Sequence, residues 1–217
     1  MKKIAIILSG CGNMDGAEIH ESVMAMYAVQ LNGGEYEVFA PDKEQFHVIN
    51  HYTKTATDEK RNVLVESARI ARGKIQSLDK LDMHNFDGLL LPGGFGAAKN
   101  LSDFATSKDD YFVDNQVSDV IRNAHQLQKP IGALCIAPVL LAKLIKGVSI
   151  TLGNEPNDER KMKLIGANYI TVDKADKITI DKTNKVVTGP CYMFDARITE
   201  IANAANEVVK AMFEFLK

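Results

Sequence analysis

The feature that most constrains this chain is its repeated switch between short, wholly apolar runs and longer helical stretches. Lys3–Leu8, the apolar centre of Asp87–Pro92 and Pro130–Leu134 are such runs. Short apolar runs of this kind read as strands buried on both faces. Between them lie stretches with helical spacing. One opens at Asp15, with Glu18 three residues on as in a capping box, and ends at Asn32-Gly33-Gly34. Others cover residues 61–72, 110–126, 136–145 and 194–216. Tyr36–Ala40 adds a strand, Val148–Leu152 continues the alternation, and residues 177–188 read as a hairpin around Asp181–Asn184. Strands alternating with helices imply an α/β fold: a mostly parallel sheet with helices on both faces. No repeat or linker interrupts the pattern, so residues 1–217 read as a single domain.

Spacing also assigns inner faces. Ile19, Val23, Met26 and Tyr27 form the expected core face of the first helix. Val63, Leu64, Ala68 and Ala71 are expected inward on the second, and Ile198, Ile201, Ala205, Val208 and Phe213 on the last. Residues 42–60 read as a polar, irregular insert.

Composition narrows the function classes. The chain is 46% hydrophobic and 25% charged, with net charge -2, which fits a globular protein and not a nucleic-acid binder. Its three cysteines, 11, 135 and 191, are too far apart for a CxxC metal pair and odd in number for a disulfide framework, so no metal is expected. No apolar run approaches the ~20 residues of a membrane span, so no membrane partner is expected. Lys2-Lys3 and the Leu8-Ser9-Gly10-Cys11 box imitate a secretion signal. The apolar run stops at Leu8, short of the roughly 7–15 residues a signal core needs. A buried first strand and a cytoplasmic location are the expectation.

In sheets of this type ligands bind outside the carboxyl ends of the strands. Three loops leave those ends: Ser9–Asp15, Pro92–Gly96 and Leu134-Cys135-Ile136. Cys135 stands at a strand-to-helix elbow between small neighbours, where a nucleophile is displayed at the sheet edge. The helix that follows is expected to favour its thiolate. Gly93-Gly94 after a strand is either an ordinary glycine turn or, with the N–H of Ile136, a set of backbone donors for a developing oxyanion. Glu21 lies on a small-residue stripe with Ala25 and Ala28; a carboxyl there would be partly buried, with a raised pKa and an acid–base role, although spacing alone favours an ordinary solvated helix glutamate. Cys11 leaves the first strand at the same edge and could line the pocket, as could His51 from the insert. All five histidines (20, 47, 51, 84, 125) precede Cys135. A class I glutamine amidotransferase resembles this elbow layout but takes its histidine from downstream of the cysteine.

The strand into Pro92-Gly93-Gly94, the elbow Ala133-Leu134-Cys135-Ile136-Ala137-Pro138 and the early helix glutamate resemble the ThiJ/PfpI superfamily, which includes the parkinsonism-associated deglycase. Ser9-Gly10-Cys11-Gly12, the run Arg61–Gly73 and Pro92–Leu101 are similar to its ElbB-like branch, the isoprenoid-biosynthesis protein with an amidotransferase-like domain. The similarity covers nearly the whole chain. It implies a flavodoxin-like three-layer sandwich, often a homodimer, with Cys135 as nucleophile, Glu21 as its carboxyl partner, and Gly94 and Ile136 as oxyanion donors. The implied activity is a weak, cofactor-free glyoxalase acting on a small aldehyde, glyoxal or methylglyoxal, to give a 2-hydroxy acid. A redox or electrophile sensor using the same cysteine, and a glutaminase-like subunit, are the alternatives. Ile136 replaces the histidine that follows the cysteine in protease-like members, and residues 152–156 hold no histidine in place of the deglycase-like one.

Overall fold

The apolar runs do form the middle of a sheet. In the computed structural model, which describes residues 1–217, the first half of the chain contains β1 (Lys2–Ile7), α1 (Ile19–Leu31), β2 (Gly34–Ala40), β3 (Val48–Asn50), β4 (Thr55–Thr57), α2 (Val63–Ile70), β5 (Gln76–Ser77), β6 (Gly88–Leu91) and α3 (Phe95–Lys99). The second half contains α4 (Asn115–Gln126), β7 (Ile131–Leu134), α5 (Pro138–Leu144), β8 (Ser149–Ile150), α6 (Pro156–Leu164), β9 (Asn168–Tyr169), β10 (Thr179–Asp181), β11 (Val186–Gly189) and α7 (Ile198–Glu214). Seven strands make the main sheet in the order β10-β11-β7-β6-β1-β2-β5. Every pairing is parallel except β10 with β11 at one edge. Ile4 to Leu8 are fully buried, as are Leu89 to Leu91, because helices cover both faces. These residues belong to one continuous core of 56 buried side chains. The architecture is the flavodoxin-like α/β sandwich.

Several local expectations are corrected. The first helix starts at Ile19, and Glu18 rather than Asp15 caps it: the Glu18 carboxylate accepts from the Glu21 N–H at 2.7 Å. The insert is not wholly irregular, since β3 and β4 form an antiparallel hairpin within it. Only Ser149–Ile150 of the expected strand at 148–152 is extended, and it pairs with β9 in a separate small sheet. β11 is already flanked by β7 and β10, so β8 has no position on the main ladder.

The face of α1 is also reversed. Ile19, Val23 and Tyr27 are 43%, 42% and 54% exposed, while Glu21, Ala25 and Ala28 are fully buried; only Met26 of the expected face is inside. The small residues let α1 lie close against α7 and β2, and bulk would hold it away. On α2, Val63 and Ala71 are buried as expected, but Glu66 and Ser67 join them in place of Leu64 and Ala68. The Ser67 hydroxyl accepts from Gly10 N–H at 2.9 Å, and Glu66 pairs with Arg69 at 3.0 Å. That polar inner face anchors the loop after β1. On α7, Ile201, Ala205, Val208 and Phe213 are buried and Ile198 is not.

This packing predicts an inverted response to substitution. Ala28→Leu is expected to lower unfolding free energy by about 1–3 kcal/mol, since overpacking displaces α7. Tyr27→Gln, on the apolar but exposed strip, is expected to change it by no more than about 0.5 kcal/mol. Urea unfolding midpoints of the two variants check this, and the opposite order would refute the packing.

Candidate functional site

β1 lies between β2 and β6, so the chain first builds outward on one side of β1 and then returns to the other. That reversal is a switch point, and the crevice above it is where ligands bind in open α/β sheets. The loops after β1 and β6 are tied together there. Glu18 N–H donates to Gly93 O at 2.9 Å, Phe95 N–H to Asn13 O at 2.8 Å, and Gly96 N–H to Gly16 O at 2.8 Å. The approach demands glycine. A Cβ on Gly94, whose φ is +92°, would lie 2.3 Å from Glu18 N, and one on Gly93 would lie 2.4 Å from the Cys135 Cβ.

Cys135 ends β7 in the left-handed region, with φ of 56°. For a residue with a side chain that conformation costs about 1–3 kcal/mol, which marks a position over-determined by its surroundings. Its N–H donates to Gly189 O at 2.8 Å, and Ala137 N–H closes the elbow on Leu134 O at 2.9 Å. The side chain is nearly buried, at 8% exposure. Burial pushes the thiol up, the Glu21 charge adds to this, and the N–H groups of Gly94 and Ile136 act in the opposite direction. The expected help from the following helix is absent: α5 has seven residues and opens on Pro138, which has no N–H to offer.

Glu21 is fully buried beside the thiol. Gly93 N–H donates to its Oε2 at 3.0 Å and Tyr192 N–H to its Oε1 at 3.3 Å. Burial first, and the charge of Glu18 second, push its carboxyl up to about 8. The two side chains hydrogen-bond each other: the Glu21 charge pushes the thiol up, while the thiol's hydrogen bond acts to lower the carboxyl, so they titrate as a coupled pair that resists a second negative charge.

A cavity of about 820 Å3 opens over Cys135, with Gly94 and Ile136 in its wall. His20 and Tyr192 also line it, and His20 Nδ1 lies 2.8 Å from the Tyr192 hydroxyl. Sequence reasoning gives neither a role in the site. The available signal was the carboxyl end of β11, the parallel neighbour of β7; reading residues 177–188 as a hairpin hid that fourth loop. Cys191 is fully buried in the same turn, with φ of 47°, and burial and Glu21 push its thiol up.

Cys11 and His51 are placed elsewhere, and neither lines this cavity. His51 Nε2 is 3.7 Å from the buried carboxylate of Asp15, whose other oxygen accepts from Ile49 N–H at 2.7 Å. The insert therefore docks on the loop after β1, on Asp15, and not over Cys135. Cys11 is half-buried near Glu66, Arg69 and Asp15, and burial pushes its thiol up. No group of three His, Cys, Asp or Glu side chains is arranged to hold a metal ion, and no helix is long and apolar enough to cross a membrane.

The raised Glu21 carboxyl makes a stability prediction. Below the ordinary carboxyl value of 4.5 both folded and unfolded chains carry the proton; between 4.5 and about 8 only the folded chain does. Folded protein then binds more protons, so this contribution to stability is lost as pH rises through that window. Glu21→Gln does not titrate. The melting temperature of Glu21→Gln minus that of wild type should climb between pH 5 and 8, and a flat difference would refute the buried, protonated carboxyl.

Comparison with known proteins agrees with this fold. The DJ-1/PfpI family model matches residues 3–195. The ES1 protein homolog, mitochondrial, of Rattus norvegicus is 44% identical over 223 residues, covering 98% of this chain and 83% of that protein. The human glutamine amidotransferase-like class 1 domain-containing protein 3, mitochondrial, is 42% identical over 222 residues, covering 98% and 82%. The crystal structure of an isoprenoid biosynthesis protein with amidotransferase-like domain from Ehrlichia chaffeensis superposes with a TM-score of 0.93 at 33% identity, covering 100% of both chains. The two curated relatives are named as mitochondrial, which corrects the cytoplasmic expectation. That expectation came from reading residues 4–8 as a strand; the strand is there, but a strand carries no address. Match, fold and elbow together place this chain in the DJ-1/PfpI family.

Proposed function

We propose that this protein is a cofactor-independent glyoxalase-type enzyme, converting a 2-oxoaldehyde to a 2-hydroxy acid. The observation that carries the reading is the buried Glu21 carboxyl in hydrogen-bond contact with the elbow thiol of Cys135. In its singly charged form the pair can hold a thiolate beside a protonated carboxyl. The sulfur adds to the aldehyde carbon while Glu21 gives its proton to the carbonyl oxygen, forming a hemithioacetal. Gly94 and Ile136 N–H groups hold the oxygen as charge develops. Glu21, now a carboxylate, takes the hydrogen of that carbon as a proton and returns it to the neighbouring carbon. The hydroxyl proton passes to the neighbouring oxygen, which leaves a thioester of the hydroxy acid. Water cleaves the thioester and restores the Cys135 thiol. The net change is addition of one water, with no oxidant or reductant consumed.

The last step needs a group to activate water. His20, held by the Tyr192 hydroxyl at 2.8 Å and lining the same cavity, is the base proposed here. It supplies from upstream what the family's deglycase-like members take from downstream. The sensor reading has weaker support: a nearly buried thiol pushed up by burial is the opposite of the exposed, low-pKa thiols that peroxide oxidises.

Two outcomes test the mechanism. Cys135→Ser should abolish hydroxy-acid formation from methylglyoxal, and wild-type kcat/KM should rise with pH toward about 8 as the pair loses its first proton; equal rates in variant and wild type would refute it. His20→Ala should lower kcat about 10²-fold or more, accumulate the thioester adduct by intact mass, and recover in part with added imidazole. Loss without adduct or rescue would remove His20 from the hydrolytic step.

A further inference from the structure

The cavity over Cys135 is much larger than a two- or three-carbon dicarbonyl requires. Its volume of about 820 Å3 lies within the roughly 300–1,000 Å3 that buries most of a drug-sized ligand. Much of its lining is apolar: Phe95, Ala98, Phe104, Ala105, Ile136 and Met193. Its two rings are braced: Lys99 Nζ sits 4.8 Å from the Phe95 ring centre and Lys161 Nζ 4.9 Å from that of Phe104. Phe95 nevertheless remains 49% exposed, a large aromatic left uncovered at the mouth of the crevice. Glyoxal has no apolar atom to place on that lining, and methylglyoxal has a single methyl group.

The polar side of the cavity restricts charge. Glu18 and Asp158 line it, and no lysine or arginine does. Burial pushes the Asp158 carboxyl up, with Lys161 only partly offsetting this. A carboxylate-bearing substrate would meet two acids without a counter-charge in the lining, whereas a neutral carbonyl would meet the His20–Tyr192 pair.

We propose that the substrate class of this site is a neutral 2-oxoaldehyde with an apolar substituent of several carbons, its dicarbonyl end at Cys135 and its tail on the apolar lining that includes Phe95 and Phe104. The inference rests on the glyoxalase reading for its chemistry and on the cavity for its selectivity. The reaction is unchanged: sulfur adds to the aldehyde carbon, the proton moves between carbons, and one water is added. Each buried methylene is worth about fourfold in kcat/KM.

The test compares 2-oxooctanal with methylglyoxal on the full chain. The expected result is a kcat/KM at least tenfold higher for 2-oxooctanal. Ala105→Trp, at an exposed rim position, should lower the ratio of the two at least tenfold. Equal or better turnover of methylglyoxal, with Cys135→Ser inactive, overturns the inference and leaves the glyoxalase reading standing. Turnover of neither aldehyde overturns the glyoxalase reading. A binding measurement then decides the ligand class separately, using Cys135→Ser protein and saturation-transfer NMR with 2-octanone and octanoate. Preferential binding of 2-octanone, weakened by Ala105→Trp, supports a neutral apolar ligand; binding of neither, or preference for octanoate, overturns it.

Discussion

The buried carboxyl of Glu21 is the interaction on which the rest of the site depends. It comes from α1, yet it accepts N–H groups from the loop after β6 and the turn after β11, and it touches the thiol that ends β7. Three chain segments distant in sequence are thus held to one side chain of α1. A buried ionised carboxylate costs several kcal/mol. The acid therefore keeps its proton to about 8, and its neighbours must approach closely enough to replace lost water. That demand accounts for Gly93 and Gly94, which leave no room for a Cβ, and for the alanines that let α1 sink toward the sheet.

The same constraint shapes the chemistry. Two acids in contact away from water disfavour a second charge, so the pair resists losing both protons at once. The donors that oppose burial at the sulfur are loop N–H groups of Gly94 and Ile136, not the end of α5. His20 and Tyr192 line the cavity beside this buried pair, together with apolar residues such as Phe95 and Phe104.

Much of this was legible in the sequence. Unbroken apolar runs between Gly and Pro residues can be satisfied only inside a covered parallel sheet, so β1, β6 and β7 emerged within a residue of their bounds. Cys135 was legible because small residues on either side of a thiol at a strand's end permit the sharp turn that displays it. Glu21 was only half legible: its small-residue stripe allowed a buried carboxyl, but spacing alone favoured a solvated helix glutamate, and it is the close approach of α1 to its neighbours that buries it. What misled was bulk. Ile19, Val23 and Tyr27 look like a core face, but apolar size reports burial only if the neighbouring element can accept it, and α7 accepts alanines. His51 and Cys11 were credible pocket residues until the insert was seen to anchor on Asp15. His20 and Tyr192 meet across 172 positions of chain, a separation that periodicity does not span.

The sequence by itself determined the alternation of buried strands with covering helices and the elbow that carries Cys135, because these follow from local rules of burial, turn geometry and spacing. Tertiary structure alone decided which face of α1 is buried, which histidine reaches the cavity, and that burial outweighs the loop N–H groups in setting the thiol. Those outcomes depend on how closely distant segments approach, and local pattern carries no information about that distance.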